Sequence, residues 1–244
     1  MKIIIPFRLK SDRFPNKVIS KFFGKPLILY TLEIAKQLNE EIILTATTDD
    51  YEQIKNIIET HNYYTFIPTS ENCSCATDRI IEISKQFDNE QYISLPIDEP
   101  LINPKEIIKC FNKFKTGAAT LYCDFFNLND CTSKLSAKIV LNANDEVVYM
   151  SREVIPCAKN GEIDLTMCKK NIGVFFFSQD FLNALNLFSD HYTNLDKYEG
   201  LEQLRWTELG LQYKAFKARH DGFGIDIPEQ INLLEERYNG YSRH

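Results

Sequence analysis

The sequence predicts an α/β fold built on a mostly parallel, doubly wound sheet flanked by helices. Two observations carry that expectation. The first hundred residues alternate short apolar strands with amphipathic stretches, a pattern that gives parallel strands joined by right-handed crossovers. Within it, one run, Tyr92–Ile97, is mostly apolar and stops at two adjacent carboxylates, Asp98 and Glu99, before Pro100. Such a run reads as a strand buried on both faces. Open α/β sheets bind ligands at the carboxyl ends of their strands, so this strand delivers two acids to the place where a ligand sits.

Taken in order, Ile3–Pro6 reads as the first strand. The loop after it, residues 7–17, carries four cations, Arg8, Lys10, Arg13 and Lys17, among Ser11, Asp12, Pro15 and Asn16. Gly24-Lys-Pro-Leu27 opens a helix with proline near its first turn, and Ile28, Leu32 and Ala35 give it a core-facing stripe. Glu41–Thr47 is a second strand, after which Asp49 or Asp50 is placed to cap a helix buried through Ile54, Ile57 and Ile58. Tyr63–Ile67 is a short third strand. The small, polar stretch Thr69–Arg79 permits close approach of a ligand, and Thr77 and Asp78 can cap the helix bearing Ile80, Ile83 and Phe87. Tyr92–Ile97 is then the fourth strand.

Beyond Asp98 the texture changes. A helix with Ile107, Phe111 and Phe114 on one face precedes strands at Gly117–Cys123, Ala137–Leu141 and Glu146–Met150, the last two joined by the turn Asn142–Asp145. Ser151–Lys170 is irregular. The region 137–170 is expected to leave the main sheet and to serve dimerisation. Asn171–Phe177 is an apolar strand followed by a helix over Asp180–Phe188. Leu195–Leu209 reads as a helix pair, Tyr213–Phe216 as a strand, and the loop Gly222–Glu229 enters a final helix striped by Ile231, Leu234 and Tyr238. With no internal repeat, low-complexity tract or linker, 1–244 reads as a single domain.

Charge and cysteine usage exclude several classes. A net charge of −6 argues against broad nucleic-acid binding. No apolar run reaches the ~18 residues of a membrane span. The apolar start, Ile3-Ile-Ile, is too short for a secretory signal. The seven cysteines are scattered, only Cys73 and Cys75 being close, and the four histidines, His61, His191, His220 and His244, do not cluster. This usage predicts reduced thiols in a cytoplasmic protein without a zinc site. There is no P-loop, no G-x-G-x-x-G and no G-x-S-x-G.

What remains is a pair of isolated acids, Asp98 and Asp226, and a cationic loop after the first strand. Two carboxylates sharing Mg²⁺ opposite an Arg/Lys phosphate clamp describe nucleotidyl transfer. For Asp226 a second reading stands beside it, since Asp-x-x-Glu ahead of a proline-started helix is also a capping arrangement.

The order and spacing of these pieces resemble the CMP-sugar-acid synthetases, most closely the 3-deoxy-manno-octulosonate (Kdo) cytidylyltransferases, nearly end to end. The resemblance rests on Ile5-Pro-Phe-Arg8 with Ser11, Arg13, Pro15 and Lys17, on Gly24-Lys-Pro-Leu27, and on Thr48-Asp49. It continues through Thr77-Asp-Arg79, Asp98-Glu-Pro100, Ser151-Arg152 with Ile155-Pro156, Leu201-Glu-Gln-Leu-Arg205 and Gly224-Ile-Asp-Ile-Pro228. It implies a Rossmann-like nucleotidyltransferase fold, a homodimer, CTP, Mg²⁺ and a sugar-acid acceptor, in the synthesis of a lipopolysaccharide or capsule precursor. Carried over by position, it implies that Arg8, Ser11, Arg13, Lys17 and Thr77 hold the nucleotide. Asp98 and Asp226 would bind the metal, with Lys17 completing the catalytic set. Arg79, Arg152, Asn171, Phe175, Glu202 and Gln203 would face the acceptor.

The departures fall on the acceptor side. Pro96-Ile97 replaces a family Gln-Gly, Cys73-Ser-Cys-Ala76 replaces His-x-Ser-Gly, and Asn171 and Phe175 replace a His and a Tyr. Losing those hydrogen-bonding groups changes what the site can select, so the acceptor is expected to be Kdo or another acid, an amino-substituted sugar acid or a phosphonate included. Two alternatives stay open on the sequence: a nucleotidyltransferase for a phosphorylated alcohol or sugar phosphate, and a non-catalytic nucleotide-binding protein on the same fold.

Overall fold

In the first strand, β1 (Lys2–Pro6), Ile3, Ile4 and Ile5 are all fully buried. Successive side chains of a strand point to opposite faces, so both faces of β1 are covered. The computed structural model describes residues 1–11, 13–188, 193–220 and 224–241; of the residues named above, Asp12, His191, Gly222, Phe223 and His244 lie outside them. The chain divides into two compact units.

The first unit holds Met1–Ile83, Ile93–Pro104 and the C-terminal stretch. After β1 come a hairpin of β2 (Lys21–Phe22) and β3 (Lys25–Pro26), helix α1 (Leu27–Lys36), strand β4 (Glu41–Thr45), helix α2 (Thr48–Ile58), strand β5 (Thr65–Phe66) and helix α3 (Ala76–Ser84). β4 runs parallel to β1 in the register Lys2↔Glu41 to Pro6↔Thr45, and β5 runs parallel to β4. The cap of α2 is Thr47, whose side chain accepts from the Asp50 N–H at 3.1 Å; neither predicted aspartate does this. The β2–β3 hairpin was hidden in the sequence because its turn is Phe23–Gly24, with φ of 45° and 75°. Both central residues of such a two-residue turn need positive φ, and phenylalanine there is an unusual choice.

Strand β6 (Gln91–Ser94) is shorter than the predicted Tyr92–Ile97. Leu95 still donates its N–H to Ile4 at 3.0 Å, but Pro96 has no N–H to extend the ladder. Leu95 and Ile97 stay buried without being strand, and the chain turns there to present Asp98.

The second unit holds Ser84–Tyr92 and the chain from Lys105 through the last strand. Helix α4 (Pro104–Phe111), strand β7 (Ala118–Asp124), a short helix α5 (Leu128–Thr132) that the sequence did not announce, and strands β8 (Lys138–Leu141), β9 (Val147–Ser151) and β10 (Lys169–Ser178) follow one another. Then come α6 (Gln179–Leu187), α7 (Leu195–Glu199), α8 (Gln203–Glu208) and β11 (Lys214–Lys217). The final helix, α9 (Glu229–Tyr241), returns to the first unit. β10 pairs antiparallel with β7, while β11 pairs parallel with β7. The hairpin β8–β9 is antiparallel and touches β10 at Lys170↔Lys138. The expected change to hairpin texture is therefore present and residues 152–168 are irregular as read, but β8 and β9 stay in the main sheet through β10, against the expectation that 137–170 leaves it. No helix among the described residues is long and apolar enough to cross a membrane.

The core of the second unit is aromatic. Trp206 is fully buried and meets Phe175, Phe177, Phe181 and Tyr213 edge-on at 5.6, 5.4, 5.5 and 5.0 Å. The rings stand at 78–83° to the indole, a favoured arrangement of aromatic quadrupoles. The same unit holds a buried ion pair, Lys170 with Asp130 at 3.0 Å, to which Ser136 adds a 2.6 Å hydrogen bond. Breaking one side of such a pair strands the other charge away from water. Asp130→Ala is accordingly expected to cost about 3–5 kcal/mol, whereas the double change Asp130→Leu with Lys170→Met should cost less than that single one. Chemical denaturation of the set checks this, and costs that simply add would show the pair to be uncoupled.

Candidate active site

In the first unit the loop after β1 is pinned by its apolar residues. Phe7, Leu9, Phe14 and Val18 are buried, and Asn16 donates its N–H back to the Leu9 carbonyl at 3.0 Å. Asn16 takes the left-handed conformation at φ 59°, which asparagine tolerates, and starts the 3₁₀ turn Lys17–Ile19. The anchors alternate with the charges, so Arg8, Lys10 and Arg13 are exposed, Ser11 is half-buried, and Lys17 turns inward.

Lys17 is where the two predicted acids meet. Its ammonium donates to Asp98 Oδ2 at 2.7 Å and lies 4.0 Å from Asp226 Oδ1, which Arg13 also approaches at 3.2 Å. Residues 98 and 226 are far apart in sequence and are joined by main chain: Ile225 donates its N–H to the Asp98 carbonyl at 2.8 Å. Gly224 lies close beside this contact. A Cβ there would lie 3.2 Å from Oε1 of the buried Glu99, so a side chain would press on the acid next to Asp98 by a few tenths of an ångström.

The capping reading of Asp226 is corrected by the geometry. The side chain that takes the N–H groups ahead of α9 is Gln230, whose Oε1 accepts from Asp226 at 2.6 Å and Ile227 at 3.1 Å. Asp226 directs its carboxylate to Arg13 and Lys17 instead.

The donor set suits a hard cation. Two carboxylates converge on one ammonium, and a cation already stands between them in the form of Lys17. No three His, Cys, Asp or Glu side chains among the described residues are grouped to hold a metal. Mg²⁺ asks for no more than one or two carboxylates when phosphate oxygens supply further ligands.

The remaining first-unit residues line the Thr69–Arg79 stretch. Thr77 is buried in the first turn of α3. Asp78, at the third helical position, reaches back to the N–H groups of Ser74 at 3.0 Å and Cys75 at 3.3 Å, as an acid in a capping box does. Arg79 is buried and donates to Thr69 Oγ1 at 2.6 Å and the Ser70 carbonyl at 3.4 Å. Glu82 accepts from the Ser70 N–H and the Cys73 thiol; its place three residues after Arg79 on one helix face was the available sequence signal. Arg8 reaches the Ser74 carbonyl at 3.4 Å.

Arg152, Asn171, Phe175, Glu202 and Gln203 belong to the second unit. The Arg152 guanidinium donates to four main-chain carbonyls, those of Lys134, Leu135, Glu199 and Gly200, at 2.8–3.3 Å. Fully buried Lys138 donates to Ser133, Ser136 and Arg152 carbonyls at 2.6–2.8 Å, and burial pushes its pKa down. Four consecutive carbonyls, 133 to 136, thus each accept from a cationic side chain. Asn171 donates through its amide to Thr120 Oγ1 at 2.8 Å and the Leu121 carbonyl at 3.2 Å. Phe175 is buried against Trp206. Gln203 is buried and donates to half-buried Glu202 at 3.4 Å.

None of the seven cysteines is in a disulfide. Burial, then the hydrogen bond to Glu82, pushes the Cys73 thiol up to about 11, so it stays neutral until pH rises through that value. At pH 8 its thiolate fraction is about a hundredfold below that of a thiol with a pKa of 9, and alkylation should slow in proportion. Mapping carbamidomethylation against pH by mass spectrometry checks this; Cys73 labelled as fast as free cysteine at pH 8 would contradict it.

The chain is similar to known proteins over nearly its whole length. The family profile described as "Cytidylyltransferase" matches residues 2–217. The 3-deoxy-manno-octulosonate cytidylyltransferase of Bdellovibrio bacteriovorus is 32% identical, with 97% of each chain covered. That of Chlorobium limicola is 30% identical, covering 95% of this chain and 94% of its own. Among solved structures, that of CMP:2-keto-3-deoxy-manno-octonic acid synthetase complexed with CTP superposes with a TM-score of 0.81 at 24% identity, covering 98% of both chains.

Proposed function

The chain belongs to the cytidylyltransferase family, and from that premise we propose that it transfers CMP from CTP to the anomeric hydroxyl of a sugar acid, Kdo or a close relative. The observation that carries the reading is the convergence of Asp98 and Asp226 on Lys17 beside a cationic loop. The acceptor hydroxyl gives its proton to solvent as its oxygen forms a bond to the α-phosphorus, the bond from that phosphorus to the β-phosphate's bridging oxygen breaks, and pyrophosphate leaves. Charge builds on the phosphate oxygens along this path, so catalysis consists chiefly of positioning and charge stabilisation.

Arg8, Ser11, Arg13, Lys17 and Thr77 hold the nucleotide in this reading, the arginines as planar forks and Lys17 as a point charge. Asp98 and Asp226 hold Mg²⁺, which when bound supplies positive charge against the phosphates and lowers the pKa of the acceptor hydroxyl. Lys17 then has a phosphate to meet in place of the carboxylates it now bridges. Arg79, Glu202 and Gln203 serve the acceptor. Arg152, with donors committed to four carbonyls, shapes that region by holding residues 134–135 and 199–200 together.

One observation favours an acceptor other than Kdo itself. Asn171 gives its amide protons to β7, and Phe175 lies in the Trp206 cluster without a polar atom. Two positions that resemblance assigns to acceptor recognition therefore offer fewer hydrogen-bond donors than the His and Tyr of the family. An amino-substituted sugar acid or a phosphonate is the second reading. We further propose a cytoplasmic homodimer, with 137–170 at its interface, supplying a lipopolysaccharide or capsule precursor.

Pyrophosphate release with CTP and Mg²⁺ tests the reading across Kdo, its amino analogue, sialic-type acids and small phosphonates. Turnover should require CTP over the other nucleotides and one acid of the panel. Turnover of Kdo at an undiminished rate relative to the other acids would dismiss the second reading. Asp98→Ala and Asp226→Ala are each expected to lower the rate by about a hundredfold or more with the fold intact. Full activity in either variant would remove that carboxylate from the mechanism.

A further inference from the structure

Three consecutive main-chain N–H groups lead into α9, and each has a fixed acceptor. Ile225 donates to the Asp98 carbonyl at 2.8 Å. Asp226 and Ile227 both donate to Gln230 Oε1, at 2.6 and 3.1 Å. The backbone through residue 226 is therefore held from two sides, by the strand-end loop and by the first turn of the helix it precedes.

The arrangement fixes the backbone from which the Asp226 carboxylate projects. That carboxylate faces Arg13 at 3.2 Å and Lys17 at 4.0 Å. Gln230 fixes the backbone without charge. A carboxylate could accept the same two hydrogen bonds, but it would add a further anion beside Asp226.

We propose that Gln230 is the positioning residue for Asp226, and that this one amide sets how tightly the chain binds a divalent cation. The proposal rests on the reading of Asp226 as a metal ligand given above. Groups that orient a metal ligand from behind typically contribute ten- to a hundredfold to metal affinity. A ligand on a turn that is fixed on one side only must spend binding energy ordering itself.

The test is Mn²⁺ binding to the full chain with CTP present and acceptor absent, followed by the paramagnetic signal of the free ion. Gln230→Leu, which removes the acceptor, should weaken Mn²⁺ binding by about tenfold, with a melting temperature close to that of the parent chain. Gln230→Glu, which restores the acceptor and adds charge, should bind Mn²⁺ at least as tightly as the parent. Gln230→Asn, too short to reach both N–H groups, should fall between and serves should the leucine variant fail to fold. Unchanged affinity in folded Gln230→Leu, or in Gln230→Asn, overturns the proposal. Equal Mn²⁺ binding by the parent and Asp226→Ala would instead remove the premise that Asp226 is a ligand, which separates the two failures.

Discussion

The Lys17 ammonium stands between two carboxylates that repel one another, and the first unit is arranged to keep them there. Asp98 and Asp226 are brought together at a main-chain contact, Ile225 N–H to Asp98 carbonyl. Without a cation they would be two like charges at one loop junction. Lys17 at 2.7 and 4.0 Å and Arg13 at 3.2 Å offset that repulsion. Lys17 and both acids keep only modest exposure of their side chains, so the attraction is screened less than at an open surface. The two acids are thereby balanced by cations of the chain itself.

The rest of the first unit explains why Lys17 arrives at that point. A loop with four cations would spread into solvent if charge alone governed it. Phe7, Leu9, Phe14 and Val18 tie it down at intervals, and the Asn16 turn closes it on Leu9. The strand that presents Asp98 ends because proline cannot donate to the ladder, and Gly224 leaves room for Glu99 at its side. Each is a steric or hydrogen-bond requirement, and together they leave the charged groups few places to go.

Legibility followed the range of the signal. The buried β1, the acids ending the Tyr92–Ile97 run and the cationic loop are local features, and periodicity or adjacency sufficed to find them. The bounds of β6 were overextended because apolar character was read as strand, when Leu95 and Ile97 are buried without pairing as strand. Thr47 was missed as a cap because two aspartates nearby looked equally suited. The Phe23–Gly24 turn was missed because phenylalanine is a poor candidate for positive φ. Gln230 could not be read at all: its role depends on a side chain reaching back along the chain to the N–H groups of Asp226 and Ile227. Buried Lys138 and the Asp130–Lys170 pair were likewise invisible, since surface and core lysines look alike until the fold closes over them.

The same contrast separates the charged groups of the first unit from the polar groups of the second. The cationic loop and Asp98 follow directly from strand ends, so their placement could be read from sequence position. The polar groups of the second unit take their meaning from what else they bond. Arg152 has the composition of a carboxylate contact, yet its donors close residues 134–135 onto 199–200, while Lys138 holds the flanking carbonyls of 133 and 136. An arginine so committed cannot bind a substrate anion with those donors unless it releases several main-chain carbonyls, each costly to leave unpaired when buried. What Arg152, Asn171 and Phe175 do in this fold is therefore set by protein partners: a cluster of main-chain carbonyls, strand β7 and Trp206.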